Sequence, residues 1–144
     1  MATQTAAARR ADARAAYDAF LQECPTSHLL ARISDKWVGI VVGVLRDSES
    51  GSLRYSDLGR AIPGVSQKML TQTLRSLERD GLVSRTVTPS VPARVDYALT
   101  PLGSNLGCLL SDVKRWAENH FEEVHAARTS YDEATTAAGA GAGA

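Results

Sequence analysis

Three features of the 144-residue sequence predict a mainly helical α+β fold. Leu, Ile and Val recur at helical spacing through most of the chain, among residues that favour helix. Two helical segments, Ser56–Ala61 and Gln67–Asp80, are separated by a tight Pro63-Gly64 turn, the mark of a helix-turn-helix. After Gly81 the apolar period changes to alternation, and Leu82–Thr88 and Arg94–Leu99 read as a hairpin. A helix-turn-helix followed by a two-stranded wing is a winged helix-turn-helix, here with extra N- and C-terminal helices for dimerisation.

Taken in order, residues 2–22 are Ala-rich with Arg and Asp interspersed, which favours a helix whose first residues fray. Cys24-Pro25 interrupts it. Pro25 suits the first turn of a second helix, in which Leu29, Leu30 and Ile33 recur. Trp37–Leu45 is apolar on all sides. Periodicity leaves helix and strand open there, and the helical neighbours decide for helix. Ser48–Ser52 is a turn, Leu53-Arg54-Tyr55 a short extended piece, and Ser56 a cap for a helix through Ala61. Ser66 caps the helix Gln67–Asp80, and Gly81 closes it. With the hairpin tip centred on Val91, Val83 faces Leu99, Arg85 faces Tyr97 and Val87 faces Val95. Thr100 and Pro101 open a last helix running to about Arg128. The expected organisation is a helical extension over 1–22, the winged domain with its dimerisation helix over 23–128, and a disordered Ala/Gly tail over 129–144.

Net charge is zero, with 16 basic and 16 acidic residues, but it is unevenly spread. Residues 51–100 hold seven basic and four acidic side chains, and residues 101–144 hold three and six. The middle of the chain therefore offers a local basic surface. Two cysteines, Cys24 and Cys108, fit free thiols in the cytoplasm rather than a disulfide scaffold. The longest apolar run, Trp37–Leu45, is far shorter than a membrane span, and the N-terminus lacks the apolar segment of a signal peptide.

On the helix Gln67–Asp80, Leu70, Leu74 and Leu77 form the core stripe. Lys68, Gln72, Arg75 and Arg79 form the opposite one, without an acid among them. Ser66, Gln67, Lys68 and Thr71 mark the N-terminal end, which in helix-turn-helix proteins enters the major groove. There Gln pairs with adenine and Lys or Arg with guanine. Any surface helix carries a charged face. What favours DNA is the agreement of the capped helix, the turn before it and a wing bearing Arg85 and Arg94, placed to meet phosphates or the minor groove.

The segments Cys24-Pro25, Asp35-Lys36-Trp37 and Leu53-Arg54-Tyr55-Ser56-Asp57-Leu58 resemble the HxlR-type winged-helix regulators. So do Ile62-Pro63-Gly64-Val65-Ser66-Gln67-Lys68-Met69-Leu70-Thr71, Leu74–Val83 and Val91–Gly103, and the likeness spans Cys24 to Asn119. The resemblance implies a homodimer without enzymatic activity that binds a pseudo-palindromic double-stranded operator as a transcription regulator, a repressor in the leading reading. It also implies that some relatives sense oxidants or electrophiles through the Cys before Pro, so Cys24 is a candidate redox sensor, and a small ligand is a further candidate effector. The Ala-rich extension and the tail fall outside the pattern.

Other readings compete with these. Cys24 is either a thiolate sensor at a helix N-terminus or a small buried hydrophobe. Cys108, among Leu106, Leu109 and Leu110, suits core or dimer packing. His120 and His125 are five apart, not the three or four that place two ligands on one helix face, and no cofactor or metal is implied. Ser66 has no histidine or acid beside it and serves better as a cap than as a nucleophile. The stripe Leu106, Leu109, Leu110 and Val113 exceeds what one small domain can cover, and it predicts a dimer interface shared with the N-terminal helix. The alternative function is a winged-helix protein-protein interaction module without DNA binding.

Overall fold

The computed structural model describes residues 5–141. The elements are α1 (Ala6–Glu23), α2 (Pro25–Ile33), α3 (Lys36–Asp47), β1 (Ser52–Arg54), α4 (Tyr55–Ala61), α5 (Gln67–Arg79), β2 (Val83–Thr88), β3 (Arg94–Leu99) and α6 (Pro101–Gly141). This is the order the sequence predicts, and the architecture is a winged helix-turn-helix.

The apolar run Trp37–Leu45 is a helix at the centre of the body. Asp35 starts α3 by accepting from the Trp37 N–H at 2.8 Å, and Val38, Val41, Val42 and Leu45 are buried. Leu58 and Ile62 from the α4 segment, Leu70, Leu74 and Leu77 from α5, and Val83 and Tyr97 from the sheet close around it. Each fully buried Leu contributes about 2 kcal/mol of transfer free energy. Trp37 lies partly buried against this core, with the Lys36 ammonium 4.7 Å from its ring centroid.

The antiparallel sheet has the order β1-β3-β2. In the wing Val83 pairs with Leu99, Arg85 with Tyr97 and Val87 with Val95, the register the sequence predicts. Gly81, at φ 73°, ends α5. Its N–H bonds the Glu78 carbonyl and the Leu82 N–H bonds the Leu77 carbonyl, the paired bonds of a Schellman close. Thr100 caps α6 through the Gly103 N–H and donates its own hydroxyl to the Gly81 carbonyl at 2.6 Å. This draws α6 onto the start of β2 so closely that a Cβ at Gly103 would stand 1.9 Å from the Leu82 carbonyl oxygen.

Two expectations are corrected. Ser56 is not a cap: α4 begins at Tyr55, the capping position falls on Arg54, and no side chain caps it. The chain beyond Arg128 is not a disordered tail: α6 continues to Gly141. Alanine is the strongest helix former, and Thr129, Thr135 and Thr136 tie their hydroxyls to carbonyls four residues back. Residues 1–4 and 142–144, including the expected fraying at the N-terminus, lie outside the described residues.

Candidate nucleic-acid interface

The helix-turn-helix presents α5 at the surface. The Ser66 hydroxyl accepts from the Met69 N–H at 3.1 Å, so the backbone enters the helix in a fixed direction. Leu70, Thr73, Leu74 and Leu77 are buried. Gln67, Lys68, Gln72, Arg75 and Arg79 are exposed on the other side, as is Ser66. Four long side chains thus stand clear of the body along one stripe of the helix, with Gln67 at its open end.

Thr71 differs from the other expected contact residues. It is half-buried, and its hydroxyl lies 2.9 Å from the Tyr55 hydroxyl. The phenol donates its one proton to the Gln67 carbonyl at 3.1 Å, so Thr71 must be the donor to the phenol oxygen. Tyr55 therefore holds the first turn of α5 from the neighbouring helix. Sequence reasoning missed this residue, because the contacts span twelve and sixteen positions and no local pattern announces them.

The wing adds a second charged surface. Arg85 is exposed on β2. Arg94 is not free: its Nε donates to both oxygens of Asp96, at 2.9 and 3.1 Å. The hydrogen bond to Asp96, aided by the carboxylate charge, raises the Arg94 pKa further. Beside it, β1 sets Arg54 opposite Asp96, and Asp57 lies between Arg54 and Arg60, bonded to the latter. The hydrogen bond from Arg60 is the main reason the Asp57 carboxyl stays below the usual range. Arg54 and Arg60 were not among the expected site residues, although the Arg-x-x-Asp-x-x-Arg spacing of 54–60 was a signal for them. These pairs are half-exposed, and pairs of this kind contribute little to stability.

The expected dimer residues divide into two sets. Leu106 is buried and Leu110 packs partly buried against the core, so both face their own body. Leu109 and Val113 are 48% and 55% exposed, and Trp116 beyond them 60%. Leu109 also lines an apolar cleft with Leu29, Ile33, Leu77 and Leu102 between α2, α5 and α6. Cys108 is exposed, which excludes packing in the core of its own chain. Cys24 occupies the cap position of α2, with Pro25 at the first turn. Its sulfur makes no cap hydrogen bond, yet the backbone N–H groups of Ser27 and then Thr26 hold the thiol pKa below the ordinary range, as a helix N-terminus does.

A family model described as HxlR-like helix-turn-helix matches residues 32–125. The uncharacterised HTH-type transcriptional regulator YtfH of Escherichia coli (strain K12) is 39% identical over 109 residues, which cover 76% of this chain and 84% of that protein. Among solved structures, ytfH from Salmonella typhimurium has a TM-score of 0.65 at 38% identity, covering 75% of this chain and 94% of that one. The redox regulator HypR in its oxidised form has a TM-score of 0.59 at 38% identity, covering 67% and 96%.

Proposed function

The chain belongs to the HxlR-like helix-turn-helix family, and on that premise we propose that it regulates transcription as a homodimer bound to double-stranded operator DNA. The observation that carries the reading is α5. Its apolar side is buried in the core, while Gln67, Lys68, Gln72, Arg75 and Arg79 stand exposed along the other, with Glu78 the one acid on that side. Gln67 and Lys68, at the N-terminal end, read base edges in the major groove. Ser66, at the cap, offers its hydroxyl to the adjacent phosphate. Gln72, Arg75 and Arg79 extend the contact along the groove wall. Tyr55 and Thr71 position the reading end, and Arg85 and Arg94 bring the wing to the flanking backbone. Two copies on a pseudo-palindrome double every contact, and occupancy of a promoter by such a dimer represses it.

Cys24 gives this regulator its switch. Its thiol is biased toward thiolate by the start of α2, and α2 borders the same apolar cleft as α5 and α6. Oxidation or alkylation of the sulfur puts new bulk or charge at that helix start. HypR, a redox regulator, is a structural neighbour of this chain.

The test is binding to DNA from the protein's own promoter, measured by fluorescence anisotropy across salt concentrations. Six to ten phosphate contacts predict a loss of about 10³–10⁵ in affinity between 50 and 200 mM salt. Affinity indifferent to salt, and to Gln67→Ala and Lys68→Ala alike, would move the reading to a protein-docking module.

A further inference from the structure

The cleft between α2, α5 and α6 has a volume of about 560 Å³, within the range of small-molecule sites. Its walls are mostly apolar, and Leu29, Leu102 and Leu109 remain exposed around it. Leucines gathered bare about one concavity cost free energy in water that an apolar occupant relieves. One wall comes from the inner side of α5, where Leu77 is buried and Ser76 half-buried.

Two charged side chains line the cleft, Arg32 and Asp80. The Arg32 Nε stands 3.3 Å from the Asp80 Oδ2. This contact ties the last turn of α2 to the residue that ends α5. The pair is unequal. The Arg32 side chain is 55% exposed and that of Asp80 25%, so the guanidinium is the partner open to an incoming group. A guanidinium offers N–H donors in a planar fork that a carboxylate matches with both oxygens. His28, one turn earlier on the same face of α2, and Asn105 on α6 also line the cleft, and each can donate a further hydrogen bond. A cation would meet Arg32 before it reached Asp80. The walls therefore suit an apolar body, and the polar groups suit an anionic acceptor on it.

We propose that this cleft is an effector site for a small apolar carboxylic acid. Its carboxylate pairs with Arg32 in place of Asp80, and its hydrocarbon body lies among the leucines. Asp80, at the end of α5, then loses its tether to α2, and the ligand bears on Ser76 and Leu77. The outer side of the same helix exposes Lys68, Gln72, Arg75 and Arg79, so occupancy shifts the helix assigned to DNA. Cys24 precedes α2 and Arg32 lies in its last turn. Thiol chemistry and ligand binding thus act at opposite ends of one helix. The effect on DNA rests on the regulator reading above; the binding site does not.

Isothermal titration calorimetry on the full chain tests the site with three probes of one shape: 1-naphthoate, the uncharged 1-naphthamide and the cation 1-naphthylmethylammonium. Naphthoate should bind once per chain with a Kd below about 1 mM, and the other two about tenfold more weakly or worse. Arg32→Gln should cost naphthoate about tenfold, as loss of a charge-assisted hydrogen bond does, and leave the amide unchanged. Asp80→Asn should tighten naphthoate, because the competing carboxylate is gone. Arg128→Gln, at an exposed position of α6, should change nothing. Naphthoate that fails to bind, binds no tighter than the amide, or ignores Arg32→Gln overturns the proposal, as does a site that prefers the cation or is weakened by Asp80→Asn. Saturating naphthoate should also weaken promoter binding, followed by fluorescence anisotropy, about fivefold or more, and should not do so in Arg32→Gln. Naphthoate bound at Arg32 with promoter affinity unchanged overturns the effector role. Protein that binds naphthoate at Arg32 but no promoter DNA removes the regulator reading and leaves the carboxylate site standing.

Discussion

Helices α5 and α6 follow the same amphipathic rule and leave opposite surfaces bare. α5 buries one stripe of Leu and Thr and exposes a stripe of Lys, Gln and Arg. α6 buries only Gly103, Leu106 and Gly107 of its 41 residues and exposes Leu109, Val113, Trp116 and Phe121. A cationic stripe is stable in water and becomes useful beside a polyanion. An apolar stripe costs about 25 cal/mol for each Å² left in water and is relieved by apolar contact. On the proposed reading the two helices serve two kinds of partner: nucleic acid for α5 and a second copy for α6.

The largest effect expected separates the root of α6 from its far end. Gly103→Ala would drive a methyl group into the Leu82 backbone, which cannot move without opening the sheet. It should cost about 3 kcal/mol or more, the upper end for overpacking, and lower Tm by several degrees. Gly139→Ala meets nothing within 4 Å and should raise helicity slightly. Equal behaviour of the two variants in thermal unfolding would break the division between body and arm.

Adjacent leucines sharpen the same division. Leu110→Asp puts a carboxylate against the core and should lose at least the ~2–5 kcal/mol of a truncated core leucine. Leu109→Asp, at a half-exposed position, should leave the stability of the monomer within about 0.5 kcal/mol yet dissociate the dimer. Sedimentation and urea unfolding on the pair would expose an error if Leu109→Asp proved the more destabilising to the fold.

On α5, Lys68→Ala and Gln67→Ala should each cost about 1–3 kcal/mol of operator affinity and relax base preference. Arg79→Ala should weaken all sequences alike. In the wing, Arg85→Ala should lower the salt slope by about one unit, since one phosphate fewer is neutralised. Arg94→Ala should lower it less, because Asp96 already neutralises that guanidinium. A larger slope change at Arg94 than at Arg85 would show that the ion pair opens fully on DNA.

Much of this is legible in the sequence. The wing register follows from alternation and a proline-bearing tip, both local. Ser66, Gly81 and Thr100 are readable as caps because capping is chemistry between neighbours. Other features are not local. Tyr55 reaches α5 across a loop, so its role needs coordinates. The apolar band of α6 is too wide for its sequence to say which edge meets the body; Leu106 and Leu110 face inward while Leu109 and Val113 do not. Composition alone predicts disorder for the Ala/Gly stretch, although Ala is the strongest helix former and α6 runs through it to Gly141.

The smallest effect concerns Cys24, which lies at the start of α2, the helix that lines the apolar cleft with α5 and α6. The N–H groups of Ser27 and Thr26 favour the thiolate, and unfolding removes them. The sign follows from linkage. A folded pKa below the unfolded one means that ionisation favours the fold, a contribution present above the unfolded thiol's pKa and lost as pH falls through the folded one. The thiol is exposed enough for this to matter more for reactivity than for stability. In a Cys108→Ser background, alkylation of native protein by iodoacetamide should reach half its maximal rate at a lower pH than in urea. Oxidant should then weaken operator binding in that background and leave Cys24→Ser unaffected. A native midpoint equal to the unfolded one would deny α2 any hold on the sulfur. Equal release of both proteins from DNA would place the switch elsewhere, leaving Cys24 a helix-start residue and nothing more.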